Sequence, residues 1–409
     1  MTKTIVILGA GLAGLPLAHY LISRTASQVS DLRVVLVSPQ THFYWNVASV
    51  RLVLPNQPQL PEEKYLFPIA EQFTQYPHKD RFEFVLGSAT KLTPEQNSVT
   101  VTVSDGSNKD IEISYHTLVI ATGTTYKTGM PWKTLPSTES TRTVIANLQS
   151  SIEAASSIVV AGAGVTGVEF AGELGSAFSK HGKKKVTVLH SEALPLESRL
   201  QERVRTTAKK ELQKLGVEYV GNARVTAVTP AAGGKGEEVK VEIKESGKTT
   251  TTTITADLVI PTYGAEYNTS FVPASMHDPS SPGRLLVTPD LRSPSHSNIF
   301  IVGDVSTLQA PQAVHSEAQI RHLMKQLSPS YFASASPSAV TLEPYYKKPD
   351  ELKKIMLGLT IGKDRGAGQV GTFQPPSILI WWLKGRHIGT DYSHLFAAGA
   401  RGANGAWPN

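Results

Sequence analysis

Four short apolar runs along the chain end in glycine. They are TIVILGAGLAG at residues 4–14, TLVIATG at 117–123, IVVAGAGVTGVEFAGEL at 158–174 and NIFIVGDV at 298–305. Runs of this kind lack polar alternation, which is the pattern of strands covered on both faces in a parallel sheet. RVVLV at 33–37 and residues 186–189 read the same way. Other stretches alternate. Residues 82–92, 98–103 and 111–115 put apolar and polar side chains on opposite faces, and Asp105-Gly106 supplies a turn. A meander beside the main sheet is predicted there. Residues 217–261 alternate again and lead into ADLVIPTYG, with a surface hairpin at 233–236. Helical periodicity follows the first glycine run in LPLAHYLI, 15–22, and recurs at 313–327. Strands and helices in this alternation predict an α/β fold.

The glycines sharpen that prediction. In the first run Gly9 allows a tight turn, Gly11 lets a pyrophosphate approach bare backbone, and Gly14 lets the helix pack close to the strand. The helix N-terminus then offers free N–H groups and partial positive charge to phosphates. Gly162, Gly164 and Gly167 repeat the spacing, again after a strand and before a helix. Each unit can hold one dinucleotide, so two are expected. An acidic residue usually ends the second strand of such a unit and binds ribose hydroxyls. Ser38 stands there in the first unit, and His190 followed by Ser191 in the second. Neither arrangement discriminates NADH from NADPH.

Further positions carry candidate chemistry. HFYWNVASVR, 42–51, reads either as core packing by Phe43, Tyr44 and Trp45 or as a ligand-pocket wall with Asn46 and Arg51 as polar contacts. Glu169 and Glu173 share one helix face at i, i+4. They are either favourable charge near a helix N-terminus or, for Glu169, a group at the domain cleft. Gly303 and Asp304 arrive at the carboxyl end of a strand, where Asp304 either accepts hydrogen bonds from a polyol or caps the next helix. Residues 273–284 form a Pro/Ser-rich crossing between domains, and 331–352 a Ser/Pro/Ala linker. Beyond the linker lie strands, a loop at 362–371 and PPSILIWWLKGRHIG at 375–389. The apolar run 378–383 is either a core helix turn or a surface that meets lipid. The tail 397–409 reads as loose.

Composition removes several classes of function. None of the 409 residues is cysteine, which excludes disulfides, thiolate metal sites and cysteine nucleophiles; no metal site is expected. The net charge of +6 is modest, and the lysines come in short scattered clusters, so no nucleic-acid partner is expected. No apolar run approaches the ~20 residues of a membrane span. A first strand starting by residue 4 leaves no room for a cleaved leader, and Thr2 breaks the myristoylation pattern. A soluble or peripheral intracellular protein is the expectation.

The four glycine-terminated runs, in this order, resemble the flavoproteins of the pyridine nucleotide-disulfide oxidoreductase superfamily. The missing cysteines exclude its disulfide branch. HFYWNVAS-R, the GVEFAGEL helix and the block GKDRGAGQVG…WLKGRHIG resemble the apoptosis-inducing-factor-like branch, including the ferroptosis suppressor proteins, which are NAD(P)H:quinone oxidoreductases. The resemblance implies FAD at Gly9, Gly11 and Gly14 and NAD(P)H at Gly162, Gly164 and Gly167. It implies that Asp304, after Gly303, holds the FAD ribityl chain, with Thr122 and Gly123 near the FAD. It matches Asn46 and Arg51 to flavin-domain positions, Glu169 to a glutamate beside nicotinamide and flavin, and Lys384 to a lysine near quinone and flavin.

Two Rossmann-like domains and a small third part are therefore expected: an FAD domain at 1–136 and 272–330, an NAD(P)H domain at 137–271 and a C-terminal domain at 340–409. The expected activity is FAD-dependent transfer of electrons from NAD(P)H to a quinone-type acceptor, ubiquinone-like. The alternatives are an oxidoreductase of secondary metabolism with a dedicated small substrate and a slow-turnover redox-signalling protein. The expected location is cytoplasmic, with peripheral contact to an intracellular membrane, a mitochondrial surface or lipid droplet. The oligomeric state stays open.

Overall fold

The computed structural model describes residues 2–401 apart from 246, 335 and 336. Its central strand, Lys3–Leu8, pairs in parallel with Leu32–Ser38 on one side and Thr117–Ile120 on the other. Ile5 and Ile7 enter one core, Val6 and Leu8 the other. Successive side chains of a strand point to opposite faces, so both faces being covered requires all four to be apolar. The sheet has seven strands, in the order Ile299–Ile301, Thr117–Ile120, Lys3–Leu8, Leu32–Ser38, Phe82–Thr93, Ser98–Val103 and Asp110–Ser114. Its last three strands form the antiparallel meander that the alternation predicts.

A second parallel sheet runs in the order Glu218–Val220, Lys185–Leu189, Ser157–Ala161 and Leu258–Pro261. Beside it lies an antiparallel sheet of Ala223–Pro230, Glu237–Glu245 and Lys248–Ala256, with the 233–236 turn between the first two. The fold is α/β, with two Rossmann-type sheets, the first mixed and the second parallel. The strand Ile299–Ile301 returns to the first sheet after the chain has built the second.

The C-terminal block departs from two sequence expectations. Residues 362–371 read as a loop, yet Arg365–Val370 is a strand, paired antiparallel with Met356–Ile361. Its glycines are there for packing. A Cβ on Gly366 would lie 2.5 Å from Ile380 Cγ2, and one on Gly368 2.8 Å from Ile380 Cδ1. The hairpin is thinned on that face so that the helix after it can settle onto it. Residues 331–352 read as a linker, but Tyr331 and Phe332 are fully buried. The Tyr331 hydroxyl lies 3.1 Å from Thr117 Oγ1 and its ring packs edge-on against Phe300, so the first sheet claims the start of this stretch. Of the tail 397–409, residues 402–409 lie outside the described residues. Ala397 is buried at the end of the helix Ser393–Ala397.

Candidate functional site

The two glycine turns are geometric twins. Gly9 has φ +104° and Gly162 φ +107°, in the region where a side chain is strained. A Cβ on Gly14 would sit 1.9 Å from Gly9 O, and one on Gly167 2.1 Å from Gly162 O. In each turn the first and third glycines are therefore walled in. The middle ones differ: a Cβ on Gly11 or Gly164 meets nothing within 4 Å. Open space over the middle glycine, at the head of a helix, is what a pyrophosphate requires. The residues present fit a dinucleotide at both turns.

Around the first turn, Ser38 is buried and its hydroxyl accepts the Gln40 N–H at 3.2 Å. Thr122 is locked to Asn268, donating from Oγ1 to the Asn268 carbonyl at 2.6 Å, while the Asn268 amide donates to the Thr122 carbonyl at 2.9 Å. Gly123, with φ +64°, faces open space. Gly303 N–H donates to Gln319 Oε1 at 2.8 Å. Asp304 is buried at the carboxyl end of the first sheet, and its Oδ2 accepts from Thr124 Oγ1 at 3.0 Å and from Lys133 Nζ at 2.8 Å. A carboxylate that already gathers a hydroxyl and an ammonium can accept hydrogen bonds from a polyol brought beside it. Thr124 and Lys133 belong to this cluster, and no spacing pattern in the sequence singles them out.

The aromatic segment serves packing. Phe43, Tyr44 and Trp45 are each buried, and Trp45 Nε1 donates to the Ile388 carbonyl at 2.9 Å. Phe43 and Trp45 lie 5.4 and 5.6 Å from the Phe396 ring, so this segment is the socket for the C-terminal block. Asn46 Nδ2 donates to the Trp132 carbonyl at 3.2 Å. Arg51 is engaged elsewhere than an open pocket. It donates to Glu173 through Nε at 3.0 Å and Nη2 at 2.6 Å, and to the carbonyls of Gly385 and Arg386 at 2.9 and 3.4 Å.

The helix Val165–Ala177 begins at the second turn and carries both glutamates on its buried face. Glu173 takes Arg51. One turn earlier, Glu169 Oε1 accepts from Lys384 Nζ at 2.7 Å and from the Thr360 N–H at 3.0 Å. Lys384 also donates to the Gly358 carbonyl at 3.1 Å. Glu169 is 9% exposed at its side chain and Lys384 31%, so the pair sits at the edge of the interior with the ammonium on the open side. Gly172 makes the approach feasible, since a Cβ there would lie 2.7 Å from Gly362 N. His190 Nδ1 accepts the Ala163 N–H at 3.2 Å, while Nε2 is buried without a partner among the described residues. Burial holds the His190 pKa below its ordinary value, so the ring is neutral near pH 7.

Beside Lys384 the chain leaves an apolar face uncovered. The helix Ser377–Ile380 continues through Trp381–Gly385 and buries Ile380 and Gly385. Ile378, Leu379, Trp382 and Leu383 are exposed by 64, 40, 61 and 65%, with Phe373 nearby at 60%. The run is thus a surface rather than a core turn. Among the described residues no helix is long and apolar enough to cross a membrane.

A model of the family described as pyridine nucleotide-disulphide oxidoreductase matches residues 3–320. Oxidoreductase ptaL of Pestalotiopsis fici is 38% identical over 379 residues, covering 92% of this chain and 94% of that protein. Ferroptosis suppressor protein 1 of Xenopus laevis is 25% identical, covering 94% of this chain and 93% of its own. Among solved structures, the sulfide:quinone oxidoreductase of Aquifex aeolicus superposes with a TM-score of 0.70 at 16% identity, covering 97% of this chain and 92% of that one, which is a likeness of fold.

Proposed function

The chain belongs to the pyridine nucleotide-disulphide oxidoreductase family, with FAD and NAD(P)H as its cofactors, and on that premise we propose that it passes electrons from NAD(P)H to an apolar, quinone-type acceptor. The observation that carries this reading is the Glu169–Lys384 pair, set between the helix of the second glycine turn and the exposed apolar helix. We assign 1–136 and 272–330 to the FAD domain, 137–271 to the NAD(P)H domain and 340–409 to the C-terminal domain.

Bound FAD supplies the acceptance of a hydride and the return of two electrons. With no cysteine in the chain, those electrons have no disulfide to pass through. Reduction of a quinone to a quinol takes two electrons and two protons. A hydride accounts for both electrons and one proton, so one proton comes from the protein or water. Lys384 is the cation placed to hold it, and Glu169, fixed by the Thr360 N–H, aims the ammonium. Asp304, with Thr124 and Lys133, orients the polyol end of the flavin cofactor. The stripe of Ile378, Leu379, Trp382 and Leu383 forms the apolar approach, and we place peripheral contact with an intracellular membrane on the same face.

A dedicated small-molecule acceptor is the second reading. Its support is that identity is higher to ptaL, a protein named only as an oxidoreductase, than to the ferroptosis suppressor protein. The test is to purify the protein with its flavin and follow NADH and NADPH oxidation with and without a soluble ubiquinone analogue. Turnover that needs the analogue, and falls about 10²-fold in Lys384→Ala at unchanged FAD content, is expected. Fast flavin reduction without quinone turnover would move the assignment to the second reading. Unchanged turnover in the variant would remove the role of Lys384.

A further inference from the structure

The loop after the strand Lys185–Leu189 is built around the second glycine turn. Both of its ends are pinned to one residue, Ala163, which lies between Gly162 and Gly164. At one end His190 Nδ1 accepts the Ala163 N–H at 3.2 Å; at the other the Leu196 N–H donates to the Ala163 carbonyl at 2.7 Å. Leu196 is buried with φ +66°, a left-handed conformation that leucine adopts only under constraint. Both anchors therefore lie on the residue next to Gly164, over which a Cβ would meet nothing within 4 Å.

What holds its crest is Arg205, from the helix Glu202–Lys214. Its Nε donates to the Pro195 carbonyl at 2.9 Å, and its Nη2 to the Leu194 carbonyl at 2.9 Å and to Glu192 Oε2 at 2.5 Å. The arginine side chain is 12% exposed and that of Glu192 46%. A guanidinium at this place is what a 2′-phosphate would need, but here a carboxylate of the same chain already occupies it and faces outward. Lys209 lies over the Tyr219 ring at 5.0 Å, and the Tyr219 hydroxyl donates to the Glu192 carbonyl at 3.3 Å.

We infer that Glu192, presented by Arg205, reads the 2′ position of the adenosine ribose and makes the protein prefer NADH to NADPH. This rests on NAD(P)H lying at the second glycine turn. The carboxylate that such a unit usually carries at the end of its second strand is absent at His190. The loop restores it two residues later, as an acceptor for the 2′-hydroxyl and a like charge against a 2′-phosphate. Arg205 is a positioning residue: it neutralises nothing on the ligand and fixes where the carboxylate stands.

Calorimetric titration of the FAD-loaded protein with NAD⁺ and NADP⁺ tests this without any turnover, since both differ at the 2′ position and neither delivers a hydride. NAD⁺ is expected to bind roughly tenfold more tightly than NADP⁺, the scale of one unit-charge contact near a surface. Glu192→Gln keeps a hydrogen-bonding side chain beside Arg205 and removes the charge. It is expected to bring the two affinities within about threefold of each other, mainly by tightening NADP⁺. A purely structural role for Glu192 would weaken both nucleotides alike and leave their ratio unchanged, which would overturn the inference. So would a wild-type protein that binds NADP⁺ as tightly as NAD⁺. Failure of both nucleotides to bind would instead refute the placement of NAD(P)H at this turn.

Discussion

His19 is an ionisable side chain enclosed on every side. It lies on the helix Gly14–Tyr20, fully buried, stacked on Phe73 at 4.2 Å between centroids. Its Nε2 lies 2.9 Å from the Ala397 carbonyl and its Nδ1 2.8 Å from the Tyr76 hydroxyl. Since a carbonyl can only accept, the ring carries its proton on Nε2 and takes the tyrosine O–H on Nδ1. Burial pulls its pKa down to about 4, against a smaller opposing effect of the Ala397 carbonyl. The unfolded chain therefore takes up this proton first as pH falls. The stabilisation is complete above pH about 6.5 and is lost as pH falls towards 4, the loss reaching about 2–3 kcal/mol by pH 4.5. Scanning calorimetry from pH 7.5 to 4.5 should show that loss, and His19→Gln, which keeps a donor but cannot ionise, should flatten it. An equally steep decline in the variant would assign the acid sensitivity to other groups. Nothing in LPLAHYLI marks this histidine. The helix is legible from its spacing, whereas the partner carbonyl lies 378 residues away.

An element whose composition left its place open is the helix of residues 377–385. Its apolar residues suit a core or a surface equally well. The decision lies in the hairpin beneath it, where Gly366 and Gly368 leave room for Ile380. Ile378, Leu379, Trp382 and Leu383 are left facing outward. Each large apolar side chain transferred from water is worth about 1.5–3 kcal/mol. The double substitution Trp382→Ser, Leu383→Ser should therefore weaken co-sedimentation with phospholipid vesicles by at least about tenfold. Its melting temperature should change little, because both side chains are exposed in the folded protein. Undiminished vesicle binding would remove this face as the contact. The helix Val165–Ala177 shows the opposite case. Its i, i+4 glutamates are readable as one face, but the sequence leaves two roles for them, helix-end charge or a cleft. The structure gives each a separate cation, Lys384 for Glu169 and Arg51 for Glu173.

Over the whole molecule, the Arg51–Glu173 pair joins three separate parts of the chain. Arg51 comes with the first sheet, Glu173 with the second, and the carbonyls of Gly385 and Arg386 with the C-terminal block. The pair is nearly inaccessible, 7% and 0% at the side chains. Removing one partner leaves a buried charge uncompensated, a loss of about 3–5 kcal/mol. Glu173→Ala should lower the melting temperature by roughly 5–10 °C, read as release of flavin fluorescence on heating. Arg51→Met with Glu173→Leu, which removes both charges, should recover most of that loss. If the double substitution melted no higher than the single one, the pair would owe its effect to packing rather than charge.

The sequence by itself determined the two glycine turns, the strands before them, the meander and the family. These depend on local requirements: a turn at positive φ, a bare Cα where a phosphate approaches, an unbroken apolar run where both sheet faces are covered. Such requirements act on neighbours along the chain and leave a pattern of fixed period. Only the tertiary structure decided which charges meet. Lys384 reaches Glu169 across 215 positions and Arg51 reaches Glu173 across 122. Arg205 holds the Glu192 carboxylate on the outward face of a loop that begins with His190. A charge is compatible with any solvated surface, so its sequence position carries no record of its partner. The path of the chain brings the two together, and burial then makes their separation costly.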